Sequence, residues 1–233
     1  MLEWLNKVEG SFYKAFLAED RWKLYFAGLG VTLKVAFFAA ILGLVIGTVI
    51  ALMKLSTGKK GKGTIWSFIA NCYIDVIRGT PSVLQLLIMW FIIMKSCKNG
   101  VLVAVLSFGI NSGAYVAEII RSGIMSIDPG QMEAGRSLGL NYFDTMRFIV
   151  IPQAIKAILP ALGNEFIILL KDTSLITVIG GKELLHAAQG IMGRTYEAMF
   201  PLIGIACMYL VLVMIFTWLL GKLERRLRQS DRR

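Results

Sequence analysis

Apolar residues come in long blocks rather than in a short period. Val35 to Met53 is 19 residues without a charge, and Ala198 to Leu220 is 23. A helix of about 20 apolar residues crosses the hydrocarbon core of a bilayer, so both stretches are predicted to span a membrane. Val101 to Ala117 is also uncharged, and its apolar character continues past Glu118 to about Ile127. Two further stretches are long enough but interrupted. Ile65 to Met94 holds Asp75, Arg78 and Pro81, and Ile155 to Gly180 holds Glu165, Lys171 and Asp172. The pattern predicts an all-α integral membrane protein with five transmembrane helices, two of them polar-interrupted. Gly43 with Gly47, and Gly109 with Gly113, are spaced for close helix approach.

The stretch Ile127 to Pro160 is the most informative. Asp128 before Pro129 reads as an N-cap followed by proline at the first helical position. Gln131, three residues on, fits a capping box. A short helix is expected, ending near Gly135 or Gly139. Asn141 with Asp144 then opens a second short helix, which Pro152 is expected to stop. Met132, Leu138, Leu140, Tyr142 and Phe143 lie between these caps with no lipid to face. A helical knob offered to another protein accounts for them, and so does an ordered loop packed under the bundle; the pattern leaves both open.

Polar groups inside spans are costly and point to function. In the third span Asn111, Tyr115, Glu118 and Ser122 fall on one stripe at about 100° per residue. That stripe must face protein or water rather than lipid. Glu118 and Arg121 are three apart and can pair, as are Asp75 and Arg78 in the second span. There, Gly79-Thr80-Pro81 is expected to break or kink the helix, with Thr80, Ser82 and Gln85 nearby. The fourth span carries Glu165, expected near its inner end in an inter-helix bond, and then Lys171, Asp172, Thr173 and Ser174. A polar pathway through the membrane needs donors and acceptors together. Candidates are Thr80, Ser82, Gln85, Asn111, Tyr115, Glu118, Asp172, Thr173 and Ser174. The charged neighbours can equally be self-neutralising pairs that hold helices together.

Composition narrows the class. The chain is 56% hydrophobic, 17% charged, with mean hydropathy +0.67, which excludes an ordinary soluble domain. Cys72, Cys97 and Cys207 are far apart and odd in number, so no disulfide scaffold is expected. One histidine, His186, leaves no metal cluster, and no role is assigned to it. The net charge of +10 would suggest nucleic acid in a soluble protein. Here the basic residues lie between apolar blocks, so no nucleic-acid partner is expected. With five spans and the C-terminus inside, the inner loops and tail hold 13 Lys and Arg against 8 outside, which places the N-terminus out and the C-terminus in. Lys54, Lys59, Lys60 and Lys62 make up the first inner loop, and the tail from Lys222 to Arg233 is a basic anchor near anionic lipid. No cleavable signal peptide is read at the start. Residues 1–26, rich in aromatics, are expected to lie as an interfacial helix on the membrane surface rather than to act as a gate. Residues 27–221 then form the membrane domain and 222–233 a basic cytoplasmic tail.

The long inner loop also resembles a known motif. Glu133-Ala134-Gly135, Gly139 four later, and Ile149-Val150-Ile151-Pro152 are similar to the EAA loop of ATP-binding-cassette (ABC) importer membrane subunits. Gly135 replaces the second alanine and Ile151 a leucine, and the spacing is intact. Arg78-Gly79-Thr80-Pro81 with Gln85, Asn111 to Tyr115 with Glu118 and Arg121, and Lys171-Asp172-Thr173-Ser174-Leu175 resemble the polar amino-acid branch of that family over residues 28 to 220. The resemblance implies a type I importer fold and a permease in a bacterial cell membrane, working by alternating access. It implies coupling to ATPases through Glu133, Ala134, Gly135, Gly139 and Pro152. It implies as partners two ATPase subunits, a second membrane subunit (a copy or a paralogue) and an extracytoplasmic amino-acid-binding protein. ATP and Mg would sit on the ATPases, with no cofactor and no catalysis on this chain; in agreement, it has no phosphate loop, the Gly58–Gly63 run being followed by Thr64 without a lysine. A secondary transporter or an integral membrane enzyme are the other classes, and neither inverted repeats nor a catalytic cluster is visible for them.

Overall fold

The computed structural model describes residues 2–56 and 63–230, with the side chains of residues 2–5, 7 and 228–230 left aside. Lys59, Lys60, Lys62, Arg232 and Arg233 of the charge count lie outside the described residues. The described chain is helical throughout. Four helices are long and apolar enough to cross a membrane, and a bent pair makes a fifth span. This is the five-span count read from the pattern.

Helix α1 (Leu2–Phe16) is followed by a tight turn in which Glu19 and Asp20 take positive φ. Helix α2 then runs unbroken from Trp22 to Leu55, about 50 Å at 1.5 Å per residue. Tyr25 and Phe26 therefore belong to the first span rather than to α1. Helix α1 packs on the bundle through its aromatic residues. Phe16 stacks at 5.5 Å on Tyr25, and Phe12 meets Phe200 edge-on at 6.0 Å, while Phe12 and Tyr13 keep one side exposed.

Helices α3 (Ile65–Arg78) and α4 (Ser82–Ile88, extended by a π turn to Ile93) form the broken span, bent by 102° at Gly79–Pro81. Helix α5 (Gly100–Met125) is central, with 61% of its apolar window buried against 11% for the last helix, α10 (Met199–Ser230). The four spaced glycines explain why α5 sits closest to α2. Side chains Leu42 and Ile46 of α2 fill the space over Gly109 and Gly113, while Ser112 and Val116 of α5 fill the space over Gly43 and Gly47. Those small residues are used within the chain. Val35, Ala39, Leu86, Ala104, Phe108, Leu169 and Ile176 form the main core around this pair.

After α5 come α6 (Pro129–Ser137) and α7 (Tyr142–Thr145). The expectation that Pro152 stops a helix is corrected. Helix continues from α7 through a π turn, Met146–Val150, into α8 (Ile151–Asp172) and a 3-10 segment, Thr173–Ile179. Proline is tolerated near a helix start, where its missing N–H is not needed. The π turn supplies that start, since Ile151 N bonds to Met146 O, five residues back. The fourth span thus begins at Tyr142 rather than at Ile155. Helix α9 (Leu184–Thr195) is too short to cross a bilayer, and it packs on the first turns of α2.

Candidate functional site

The break in the second span is built from three residue types. Gly79 ends α3, its N–H bonding Asp75 O at 2.9 Å. Pro81 opens α4 with φ −61 and ψ 135. A break in lipid leaves carbonyls without partners, and such groups need internal donors. Gln85 supplies them. Its Nε2 donates to Ile77 O at 2.7 Å, Thr80 Oγ1 at 2.7 Å and Thr80 O at 3.2 Å, and its Oε1 accepts from Asn111 Nδ2 of α5 at 2.9 Å. Thr80 Oγ1 in turn donates to Val76 O at 2.9 Å. Thr80, Gln85 and Asn111 are thus one chain that braces the bend against α5. Ser82 is half-buried at the first position of α4.

The stripe on α5 passes from buried to exposed. Asn111 is buried, Tyr115 is open on one side, and Ser122 is exposed. The Arg78 guanidinium lies 5.1 Å over the Tyr115 ring. Asp75 and Arg78 do not pair, because the ring takes up the guanidinium. Glu118 and Arg121 do pair, Nη2 to Oε2 at 3.0 Å, and Lys54 Nζ of α2 joins at 2.5 Å from Glu118 Oε1. One carboxylate between two cations joins α2 to α5 near the end that leads to α6. Lys54 is 64 residues from Glu118, and no local spacing could have announced it.

Asp172, Thr173 and Ser174 lie where α8 tightens into the 3-10 segment. Thr173 Oγ1 donates to Leu170 O at 2.7 Å, and Ser174 Oγ to Lys171 O at 2.8 Å. These hydroxyls satisfy the end of their own helix. Lys171 and Asp172 form no ion pair within 4 Å. The segment packs on α4 and α5 through Ile176 and Leu86, so it adjoins the brace without bonding to it.

Glu165 forms the inter-helix bond expected of it, at another depth. Its Oε1 accepts from Ser112 Oγ at 2.8 Å. Ser112 is midway along α5 and faces Gly43, so Glu165 sits at the middle of the bundle rather than at its inner end. The two polar groups line a cavity of about 410 Å³ with Phe37, Leu44, Val116, Phe166 and Phe216. A buried carboxylate in an apolar run was the available signal, and its partner on another helix hid its place.

The loop after α5 is a compact unit. Asp128 Oδ1 caps Gly130 N at 2.8 Å. The expected capping box is absent, for Gln131 instead accepts from Gln153 Nε2 at 3.1 Å and ties α6 to α8. Helix α6 ends in a Schellman motif. Leu140 N bonds Gly135 O at 3.2 Å and Gly139 N bonds Arg136 O at 3.0 Å, with Gly139 at φ +85. Gly135 is buried against Thr145 and Ile149, which gives a physical reason for glycine there. Glu133, Ala134, Gly139 and Pro152 are exposed, with Leu138, Tyr142, Phe143 and Phe148 bare beside them. Within the α6–α7 unit only Gly135 and Thr145 are buried, and Leu138, Tyr142 and Phe143 are not packed under the bundle.

Comparison with known proteins gives consistent matches. The family described as binding-protein-dependent transport system inner membrane component matches residues 43–229. The putative glutamine transport system permease protein GlnP of Rickettsia typhi is 41% identical over 203 residues, covering 86% of this chain and 91% of that protein. The arginine transport system permease protein ArtQ of Bacillus subtilis is 42% identical over 207 residues, covering 88% and 92%. A crystal structure of an amino acid ABC transporter with histidines has 46% identity and TM-score 0.81, covering 88% of this chain and 94% of that one. An inward-facing structure of the MetNI methionine ABC transporter has TM-score 0.77 at 18% identity, covering 91% and 99%, a likeness of fold.

Proposed function

This chain belongs to the family of binding-protein-dependent transport system inner membrane components, and from that premise we propose that it forms the membrane pathway of an ABC importer for a polar amino acid. Its relatives are permease subunits, named for glutamine and arginine transport, in keeping with a non-catalytic membrane role.

The observation that carries the substrate class is the cavity at Glu165. It lies at mid-depth, has about 410 Å³, and offers a buried carboxylate and a hydroxyl among apolar side chains. Pockets of 300–1,000 Å³ with a few placed polar groups are the usual form of small-molecule sites. The carboxylate suits an ammonium or a polar side-chain donor. Of the candidates from sequence, Ser82 and Tyr115 with the exposed edge of Thr80 would line the route. Gln85, Asn111 and Glu118 would hold its walls, since their hydrogen bonds are spent on the brace and the ion cluster. Asp172, Thr173 and Ser174 would close one end.

In this reading the N-terminus lies outside and the C-terminus inside a bacterial inner membrane. Residues 1–26 precede a transport domain over 27–221, and 222–233 form a cytoplasmic tail. Two ATPase subunits dock on the α6–α7 knob through Glu133 to Gly139 and carry the ATP and Mg. A second membrane subunit, copy or paralogue, completes the pathway, and a binding protein delivers substrate from outside. Alternating access follows if the nucleotide states hold the knob differently.

The test is uptake of labelled amino acids by the reconstituted complex with Glu165→Gln. The expected result is a KM raised at least tenfold with the ATPase still bound. Unchanged KM for every transported amino acid would remove the cavity from the pathway.

A further inference from the structure

At the end of the bundle remote from α6 and α7, α9 lies across the start of α2. The approach is close: a Cβ at Gly28 would stand 2.8 Å from Glu183 O and 2.9 Å from Leu184 Cα. Beside this contact is a cleft of about 280 Å³. Its floor is Leu24, Ala27 and Gly28, and its rim carries Lys182, His186 and Arg194. His186 and Arg194 are eight residues apart on α9, and Lys182 stands just before its N-cap Glu183, so the three gather at one cleft. None of their side chains has a hydrogen bond or ion pair among the described residues. The neighbouring carboxylate does not answer them. Glu183 is fully buried and accepts from Leu185 N and His186 N, each at 2.7 Å, and from Tyr209 Oη at 3.2 Å.

Lys34 adds a further cation on the membrane side. It is seven residues beyond Ala27, on the same face of α2, exposed and without a partner among the described residues. It lies about 10 Å deeper along the helix. A lysine at such depth lifts its ammonium toward the headgroups. The depth of the cleft is marked by Trp22 and Phe26, exposed aromatics of the same helix turns, as in the belt that sits at headgroup level.

We propose that this cleft binds the phosphate of an anionic phospholipid, with Lys182, His186 and Arg194 around the headgroup and the glycerol against Leu24 and Ala27. The apolar floor and the approach of Lys34 from within the membrane favour a lipid over an acidic face of a soluble partner. The inference requires only that the chain is embedded in a bilayer and is independent of what it transports.

The experiment is native mass spectrometry of the complex in mild detergent, titrated with phosphatidylglycerol or phosphatidylcholine. The wild type is expected to retain phosphatidylglycerol in preference. Lys182→Gln with Arg194→Gln should reduce that preference about 25-fold, at about fivefold per basic group. Lys222→Gln with Arg225→Gln, in the basic tail, should lower the preference separately, so that the loss from Lys182→Gln with Arg194→Gln adds to it in the combined variant. Equal retention of the two lipids by the wild type, or an undiminished preference in Lys182→Gln with Arg194→Gln, overturns the proposal. So does a variant that keeps the lipid preference but loses capture by its immobilised binding protein, which would assign the surface to that partner. Should the variant fail to assemble, the wild type alone decides: the preference must vanish in 1 M salt, and a salt-insensitive preference overturns the proposal.

Discussion

Replacing Gly47 by alanine tests whether the α2–α5 contact sets the geometry of the bundle. A Cβ at Gly47 would lie 2.5 Å from Val116 Cγ1, 2.6 Å from Val116 Cβ and 2.9 Å from Gly113 O. Carbon atoms pack at about 3.5–4.0 Å, so the shortfall is about 1 Å. Neither neighbour yields easily, because valine keeps essentially one χ1 rotamer in a helix and the Gly113 oxygen is backbone. The helices must separate. Overpacking costs about 1–3 kcal/mol, and the helix preference of alanine over glycine offsets about 1 kcal/mol of it. A net loss of up to about 2 kcal/mol is expected. Gly30→Ala is the control, on the same helix with nothing within 4 Å of its Cβ position, and should be neutral or slightly stabilising. Val116→Ala removes the methyl that collides first, so the double variant should recover part of the loss as a coupling energy. The assay is reversible unfolding of the purified chain in micelles, followed by circular dichroism. Equal stability of Gly47→Ala and Gly30→Ala, or a double variant with no coupling, would refute the reasoning.

Glu118→Gln leaves Lys54 and Arg121 without their shared anion. With about a fifth of the Lys54 and Glu118 side chains and 29% of Arg121 exposed, the loss should be about 1–2 kcal/mol, below that of a fully buried pair; it is read in the same unfolding assay, and Lys54→Met should cost less because Arg121 still holds Glu118. Gly139→Ala puts a Cβ at φ +85, at a cost of about 1–2 kcal/mol, and should weaken co-purification of the ATPase; full ATPase recovery and normal uptake would detach the Schellman turn from docking. Burial pushes the Glu183 carboxyl above its ordinary range, although two N–H groups and Tyr209 hold it back. A raised acid contributes stability below its unfolded value and loses it as pH rises through the folded one. The midpoint of thermal unfolding should therefore fall from just above the ordinary glutamate range upward, and Glu183→Gln should flatten that decline; parallel profiles for the two proteins would count against it.

The amino-acid order by itself carried the number of spans, because hydrocarbon rejects charge over a length set by the bilayer. It also carried the break at Gly79–Pro81 and both caps of the α6–α7 unit, since these depend on residues within a few positions of each other. It placed the end of a helix at Pro152 wrongly, because local rules do not show that a π turn resets the helix just before it. Tertiary structure alone decided what each polar group does. Gln85 meets Asn111, Glu118 meets Lys54, and Glu165 meets Ser112 across 26, 64 and 53 residues. Residues that far apart are brought together only when the interlocked glycines of α2 and α5 fix the helix spacing, and a hydrogen bond forms or fails within a few tenths of an ångström of that spacing.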